Sequence, residues 1–203
     1  MDHSPAIEKV ATAPASRNPQ RRAVSAALVG LGLILAGGAL WLLLVDARAG
    51  YAALSTDFTA IPVEVSFEAP AITLDNLNGR QRSLREYAGQ VVLVNLWATW
   101  CPPCAAEMPE FQRYYERHRD SGFTVIAIND GELAPEVGQF AADYGLTFPI
   151  WLDPTYEATE RAFRAGNLPT SYVIDRHGTV RLMWIGAISE SNLQKFVTPI
   201  IKE

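Results

Sequence analysis

The run Val91-Val92-Leu93-Val94-Asn95-Leu96-Trp97 is the most restrictive stretch of this 203-residue chain. It is apolar at every position but Asn95 and rich in valine, so it lacks the alternation of a strand with one wet face. It predicts a strand buried on both sides, as in a parallel or mixed central sheet. Close behind it stands Cys101-Pro102-Pro103-Cys104, which holds both cysteines of the chain. From near Cys101 to about His118, Met108, Phe111 and Tyr115 recur at helical spacing, predicting a helix with a core-facing stripe and a kink at Pro109. Ser121-Gly122 stops that helix, and Phe123 to Asn129 predicts a second buried strand. Strand, helix and strand form a βαβ unit with the cysteines at its first turn.

The flanking residues extend the same sheet. Val63, Val65 and Phe67 alternate with polar neighbours, and Ala71 to Leu74, Asn78-Gly79 and Arg80 to Ser83 predict a β-hairpin. Ser83-Leu84-Arg85-Glu86 has the capping-box spacing of a short helical turn before Gly89. Ala134 to Tyr144 predicts a helix ended by Gly145, and Phe148 to Leu152 a short strand. Asp153-Pro154 predicts the cap and first turn of a helix reaching Phe163. Ser171 to Asp175, a turn at Arg176-His177-Gly178 and Thr179 to Ile185 predict an antiparallel hairpin, with Ser189 capping a terminal helix. The fold class is α/β, a mixed sheet with an antiparallel edge.

Ahead of this domain lies a different kind of segment. Residues 23–45 carry no charge, and at about 1.5 Å per residue a helix of that length spans about 35 Å, enough for a bilayer core. Lys9, Arg17, Arg21 and Arg22 precede it, so the excess of basic residues places the N-terminus in the cytoplasm and the rest of the chain outside. Ala47-Arg48-Ala49 has the small-x-small form of a processing site and carries the rival reading, a cleaved leader; the span exceeds the usual signal core of about 7–15 residues, which favours an anchor. The expected organisation is a disordered cytoplasmic tail at 1–22, a transmembrane helix at 23–45, a tether at 46–62 and one domain at 63–203. Charge divides the same way: +2 over residues 1–22 and −7 over 46–203. An acidic outer domain offers no basic patch to a nucleic-acid backbone.

Two cysteines separated by two residues, after a buried strand and at a helix start, form a thioredoxin-like redox site. Cys101 meets the positive end of the helix macrodipole, which stabilises a thiolate, and Cys104 lies one turn in, near enough to resolve a mixed disulfide. Structural zinc normally needs four ligands, whereas the histidines are scattered at His3, His118 and His177. A copper site from both cysteines and a distant histidine has only His177 to draw on. No metal and no cofactor beyond the Cys101–Cys104 disulfide is expected.

Val91 to Glu107, Phe148 to Asp153 and Leu168-Pro169-Thr170-Ser171-Tyr172-Val173-Ile174-Asp175 together resemble the membrane-anchored thioredoxin-like proteins of the TlpA and ResA type. The resemblance implies a thioredoxin fold with an added N-terminal hairpin and a central insertion. It also implies a thiol-disulfide oxidoreductase outside the bacterial cytoplasmic membrane, reducing proteins such as apocytochrome c or oxidase copper-site assembly proteins in cytochrome biogenesis. A membrane donor of the CcdA or DsbD kind would restore the dithiol. Cytoplasmic thioredoxins are similar but have a buried Asp where Asn95 stands, and the reductases of the CcmG type have Gly-x-Pro-Glu where this chain has Asn167-Leu168-Pro169-Thr170. In ResA-type proteins a glutamate at the offset of Glu107 assists proton transfer, which makes Glu107 a candidate acid/base for Cys104. The family's cis proline corresponds to Pro169, with the Leu168 backbone pairing with an extended substrate. Trp100, Pro102 and Pro103 complete the candidate substrate contacts, while Trp97 is expected in the core.

Pro102 and Pro103 have no N–H, so only amides from Cys104 onward can donate to the Cys101 sulfur. A weakly stabilised thiolate predicts a reductant, with a potential nearer about −270 mV than about −120 mV. A peroxiredoxin alternative requires a hydroxyl three residues before the nucleophile, where Ala98 stands. A copper-binding assembly chaperone using the two thiolates is the alternative from another class.

Overall fold

The computed structural model describes residues 61–203 and, within residues 1–60, Gly38 alone. The expected tail, the apolar span and nearly all of the tether lie outside the described residues. Among the described residues no helix is long and apolar enough to cross a membrane.

Eight strands form one sheet. They are β1 (Val63–Glu68), β2 (Thr73–Asn76), β3 (Gln81–Ser83), β4 (Val91–Trp97), β5 (Phe123–Asp130), β6 (Ile150–Asp153), β7 (Thr170–Ile174) and β8 (Thr179–Ile185), in the order β1-β8-β7-β4-β5-β6-β2-β3. The centre, β4, β5 and β6, is parallel; β7, β8 and β1 continue antiparallel on one side, and the β2–β3 hairpin joins β6 antiparallel on the other. Helix α1 (Pro102–His118) links β4 to β5, and α2 (Ala134–Asp143) precedes β6.

The continuous apolar run in β4 has a simple cause: one strand feeds two cores. Val91, Leu93 and Trp97 enter a core with Cys104, Met108 and Phe111 of α1 and with the C-terminal residues Leu193, Val197 and Ile200. Val92, Val94 and Leu96 point the other way, to Ile72, Leu74, Trp151 and Tyr172. Side chains on a strand alternate, so Asn95 shares the face of Leu93 and Trp97, toward α1.

Three local expectations change. The buried stripe of α1 includes Tyr114, whereas Tyr115 is only half-buried. Tyr114 can be buried because its hydroxyl donates to the Leu193 carbonyl at 3.3 Å and lies 2.9 Å from the Thr198 hydroxyl. Residues 153–163 do not make a helix starting at Pro154. Asp153 ends β6, Tyr156 has φ 57°, and a π-helical turn spans Glu157–Ala162. Asp153 still acts as a cap, reaching farther along the chain: its carboxylate accepts the N–H groups of Glu157, Ala158 and Thr159 at 2.7, 3.0 and 2.9 Å and the Thr159 hydroxyl at 3.0 Å. Finally, on the edge strand β1 the apolar residues Val63 and Phe67 are exposed, and only Val65 between them packs partly on the core.

The terminal segment after Ser189 is helical but mixed, with a π-helical turn at Leu193–Val197 between the α-helical Glu190–Asn192 and Thr198–Ile201. The hairpin turn holds Gly79 at φ 68°, and the Asn76 side-chain oxygen accepts the N–H groups of Asn78 and Arg80. Glu86 reaches back to the Ser83 N–H at 2.7 Å, and Ser189 accepts from the Asn192 N–H.

Candidate active site

The site forms where β4 and β5 end and α1 begins. Ligand crevices in α/β sheets open at the carboxyl ends of the strands, because helices start there with unpaired N–H groups. Cys101 is the N-cap of α1 with extended backbone, Pro102 follows at N1, and Cys101 and Cys104 are joined as a disulfide with Cα atoms 5.2 Å apart. The Cys104 N–H donates to the Cys101 sulfur at 3.3 Å, as the two prolines leave it to do. Both cysteines are buried, while Pro102 and Pro103 are exposed.

A groove of about 520 Å³ opens beside Cys101. Trp100, Pro102, Pro103 and Leu168 give it an apolar rim, and Asp130, Tyr156 and Glu160 stand among its other lining residues. Trp100 is 67% exposed, so it belongs to the rim. Trp97 is fully buried and packs on Phe140 with centroids 4.9 Å apart, a core residue as expected. The Leu168–Pro169 peptide is cis, with Pro169 buried and Leu168 lining the groove.

Glu107 lies one turn beyond Cys104 and is 1% exposed. Its Oε1 accepts from Asn95 Nδ2 at 2.8 Å and its Oε2 from the Ile188 N–H at 3.0 Å. Burial pushes its pKa up to about 8, and the two donated hydrogen bonds only partly oppose that rise. The carboxyl is therefore protonated through most of the neutral range. Asn95, directly opposite Ser171 on β7, also donates to the Ser171 hydroxyl at 2.9 Å. An amide here can donate to both partners; a carboxylate could donate to neither. Glu110, by contrast, accepts from the Glu190 N–H and pairs with Arg113 on the surface.

A family model described as the AhpC/TSA family matches residues 65–183. The thiol-disulfide oxidoreductase ResA of Geobacillus thermodenitrificans is 36% identical over 160 residues, covering 78% of this chain and 91% of the relative. That of Geobacillus kaustophilus is 34% identical with the same coverage. The chain belongs to the ResA-type thiol-disulfide oxidoreductases. A solved structure of a thiol:disulfide interchange protein DsbE from Chlorobium tepidum superposes with a TM-score of 0.62 at 27% identity, covering 68% of this chain and 99% of that one. The sheet described above is thus thioredoxin-like, and this ResA-type domain is an enzyme of disulfide exchange.

Other sequence candidates fall away from the ResA-type site. His177 lies in the β7–β8 turn and lines a separate cavity of about 690 Å³ with Glu68, Tyr87 and Gln90. The position three before Cys101 is the buried Ala98, which has no hydroxyl. Among the described residues no group of three or more His, Cys, Asp or Glu is placed to hold a metal ion.

Two features escaped the sequence reading. Glu132 accepts the Thr99 N–H at 2.7 Å and the Thr99 hydroxyl, and Asn129 Nδ2 donates to it at 2.7 Å. Tyr156 leaves its helix-like segment to cover Gly131, which sits at φ 80°; a Cβ at Gly131 would lie 2.8 Å from two ring carbons. The polar end of an otherwise apolar strand, Asn129-Asp130-Gly131-Glu132, was the available signal, because strand ends of this sheet face the site.

Proposed function

We propose that this protein is a membrane-tethered reductase of disulfides in extracytoplasmic proteins, working in bacterial cytochrome biogenesis. Residues 23–45 anchor it in the cytoplasmic membrane with the N-terminus inside, and the domain acts on the far side, periplasmic where an outer membrane exists. The observation that carries the reading is the cysteine pair at the start of α1, open to a groove on one side and backed by buried Glu107 on the other. The names of the ResA relatives support the chemistry.

In the reductive direction the Cys101 thiolate attacks one sulfur of a substrate disulfide. A bond forms between Cys101 and that sulfur, the substrate S–S bond breaks, and the second substrate sulfur leaves as a thiolate that takes up a proton. Cys104 then gives up its proton and attacks the Cys101 sulfur. The mixed disulfide breaks, the substrate departs as a dithiol, and Cys101–Cys104 remains with the two electrons transferred to substrate. Glu107, once ionised, accepts the Cys104 proton; a pKa of about 8 suits a group that exchanges protons with a thiol. Leu168 offers its backbone to an extended substrate strand, and Trp100, Pro102 and Pro103 hold the flanking side chains. A membrane dithiol donor of the CcdA or DsbD kind reduces the pair again.

Trapping in cells tests this. The Cys104→Ser variant should accumulate mixed disulfides with haem-attachment or copper-site proteins, and Cys101→Ser in the same background should abolish them. Capture that survives loss of Cys101 would refute the assigned nucleophile, and capture of unrelated proteins alone would refute the cytochrome role.

A further inference from the structure

The turn that delivers Cys101 is held from a neighbouring strand end. Glu132 lies just past β5, and its carboxylate takes both the N–H and the hydroxyl of Thr99, two residues before Cys101. The other ties are to Asn129: its Nδ2 donates to Glu132 Oε2, and the Glu132 N–H donates to its Oδ1 at 3.2 Å. All of these partners are uncharged. They orient an anion without neutralising it, and Glu132 takes part in none of the ion pairs among the described residues. Two residues of extended chain span roughly 7 Å, so this charge stays close to the nucleophile's own backbone.

No cation of the groove offsets it. Asp130 and Glu160 line the groove with Cys101, and no Lys, Arg or His lines it. A negative charge near a thiol disfavours its thiolate, opposing the helix N-terminus. With Pro102 and Pro103 already withholding two amides, Glu132 acts in the same direction.

We propose that Glu132 is a positioning residue for Cys101, fixing the Thr99–Trp100 turn while holding a negative charge that disfavours the Cys101 thiolate. The inference rests on Cys101 being the attacking thiol, and it makes Glu132 part of what keeps the pair reducing.

The test uses the full-length protein in detergent, in a Cys104→Ser background, with iodoacetamide alkylation of Cys101 followed from pH 5 to 10. Glu132→Gln and Glu132→Ser should each raise the alkylation rate at pH 6 at least threefold and converge with the parent at high pH. Thr99→Val keeps the charge and loses the hydroxyl bond; it should lower the melting temperature and leave the pH profile in place. An unchanged profile in whichever neutral variant folds would overturn the proposal, as would an equal shift in Thr99→Val. Reduction of insulin by the unmutated protein is read separately: its failure would sink the reductase reading without altering the Glu132 result.

Discussion

Glu107 joins stability to chemistry through one carboxyl group. Its pKa is about 8 in the folded protein against 4.5 for an unperturbed glutamate, so the folded state holds the proton more tightly. Its contribution is therefore fully present below pH 4.5 and is lost as pH rises toward 8. Urea denaturation of the oxidised protein should show a lower midpoint at pH 8.5 than at pH 5.5, and Glu107→Gln should remove most of that difference. The same variant should slow turnover by about 10²-fold or more, the usual loss for a general acid or base, while still forming the mixed disulfide. Asn95→Asp makes a sharper prediction. It places a second carboxyl against Glu107 at the distance of the present 2.8 Å hydrogen bond and removes the donor, so the two must share a proton. The expected outcome is lower stability at pH 8 with partial recovery near pH 5, measured by thermal melting.

At the level of elements, the first turn of α1 and the π-helical turn set the two sides of the groove. Replacing Pro103 with Ala adds an amide at a position able to face the Cys101 sulfur, and equilibration with glutathione should give a more oxidising potential than the unmutated pair. The unmutated value itself should lie nearer about −270 mV than about −120 mV. Across the groove, Asp153 satisfies three N–H groups and one hydroxyl. Asp153→Ala should cost about 1–3 kcal/mol, the usual penalty for buried donors left unpaired, and raise KM more than it lowers kcat because Tyr156, Thr159 and Glu160 lose their placement. How legible these elements were in the sequence follows from what each depends on. The β4–α1–β5 unit, the hairpins and the caps at Ser83 and Ser189 depend on local pattern and were readable. The segment 153–163 was not, because Asp153 caps amides four to six residues away and Tyr156 takes the left-handed region with its ring over Gly131. The Glu132 clamp joins residues 33 apart in sequence, which no periodicity records. Glu107 was visible as a position but not as a buried group, since its burial requires Asn95 and the Ile188 amide to arrive from two other elements.

For the whole molecule, the acidic domain and the short basic tail are separated by the apolar block at 23–45. If that block is the anchor proposed above, residues 46–203 expressed alone should keep insulin-reducing activity in solution yet fail to support cytochrome maturation in cells. Full-length protein should remain with membranes after alkaline carbonate extraction, and a cleaved leader would instead release a shortened chain. The double core also has a consequence for how this chain can vary. Since β4 sends odd-numbered residues to α1 and even-numbered residues to the opposite core, its phase is locked to the cysteines. Inserting one residue between Val91 and Asn95 would turn every later side chain of the strand over at once, sending Asn95 away from Glu107 and Trp97 away from Phe140. Length changes should therefore be tolerated in the loops and forbidden in this strand, which behaves like a gear tooth: it can be exchanged for another of the same pitch, but not slipped by one.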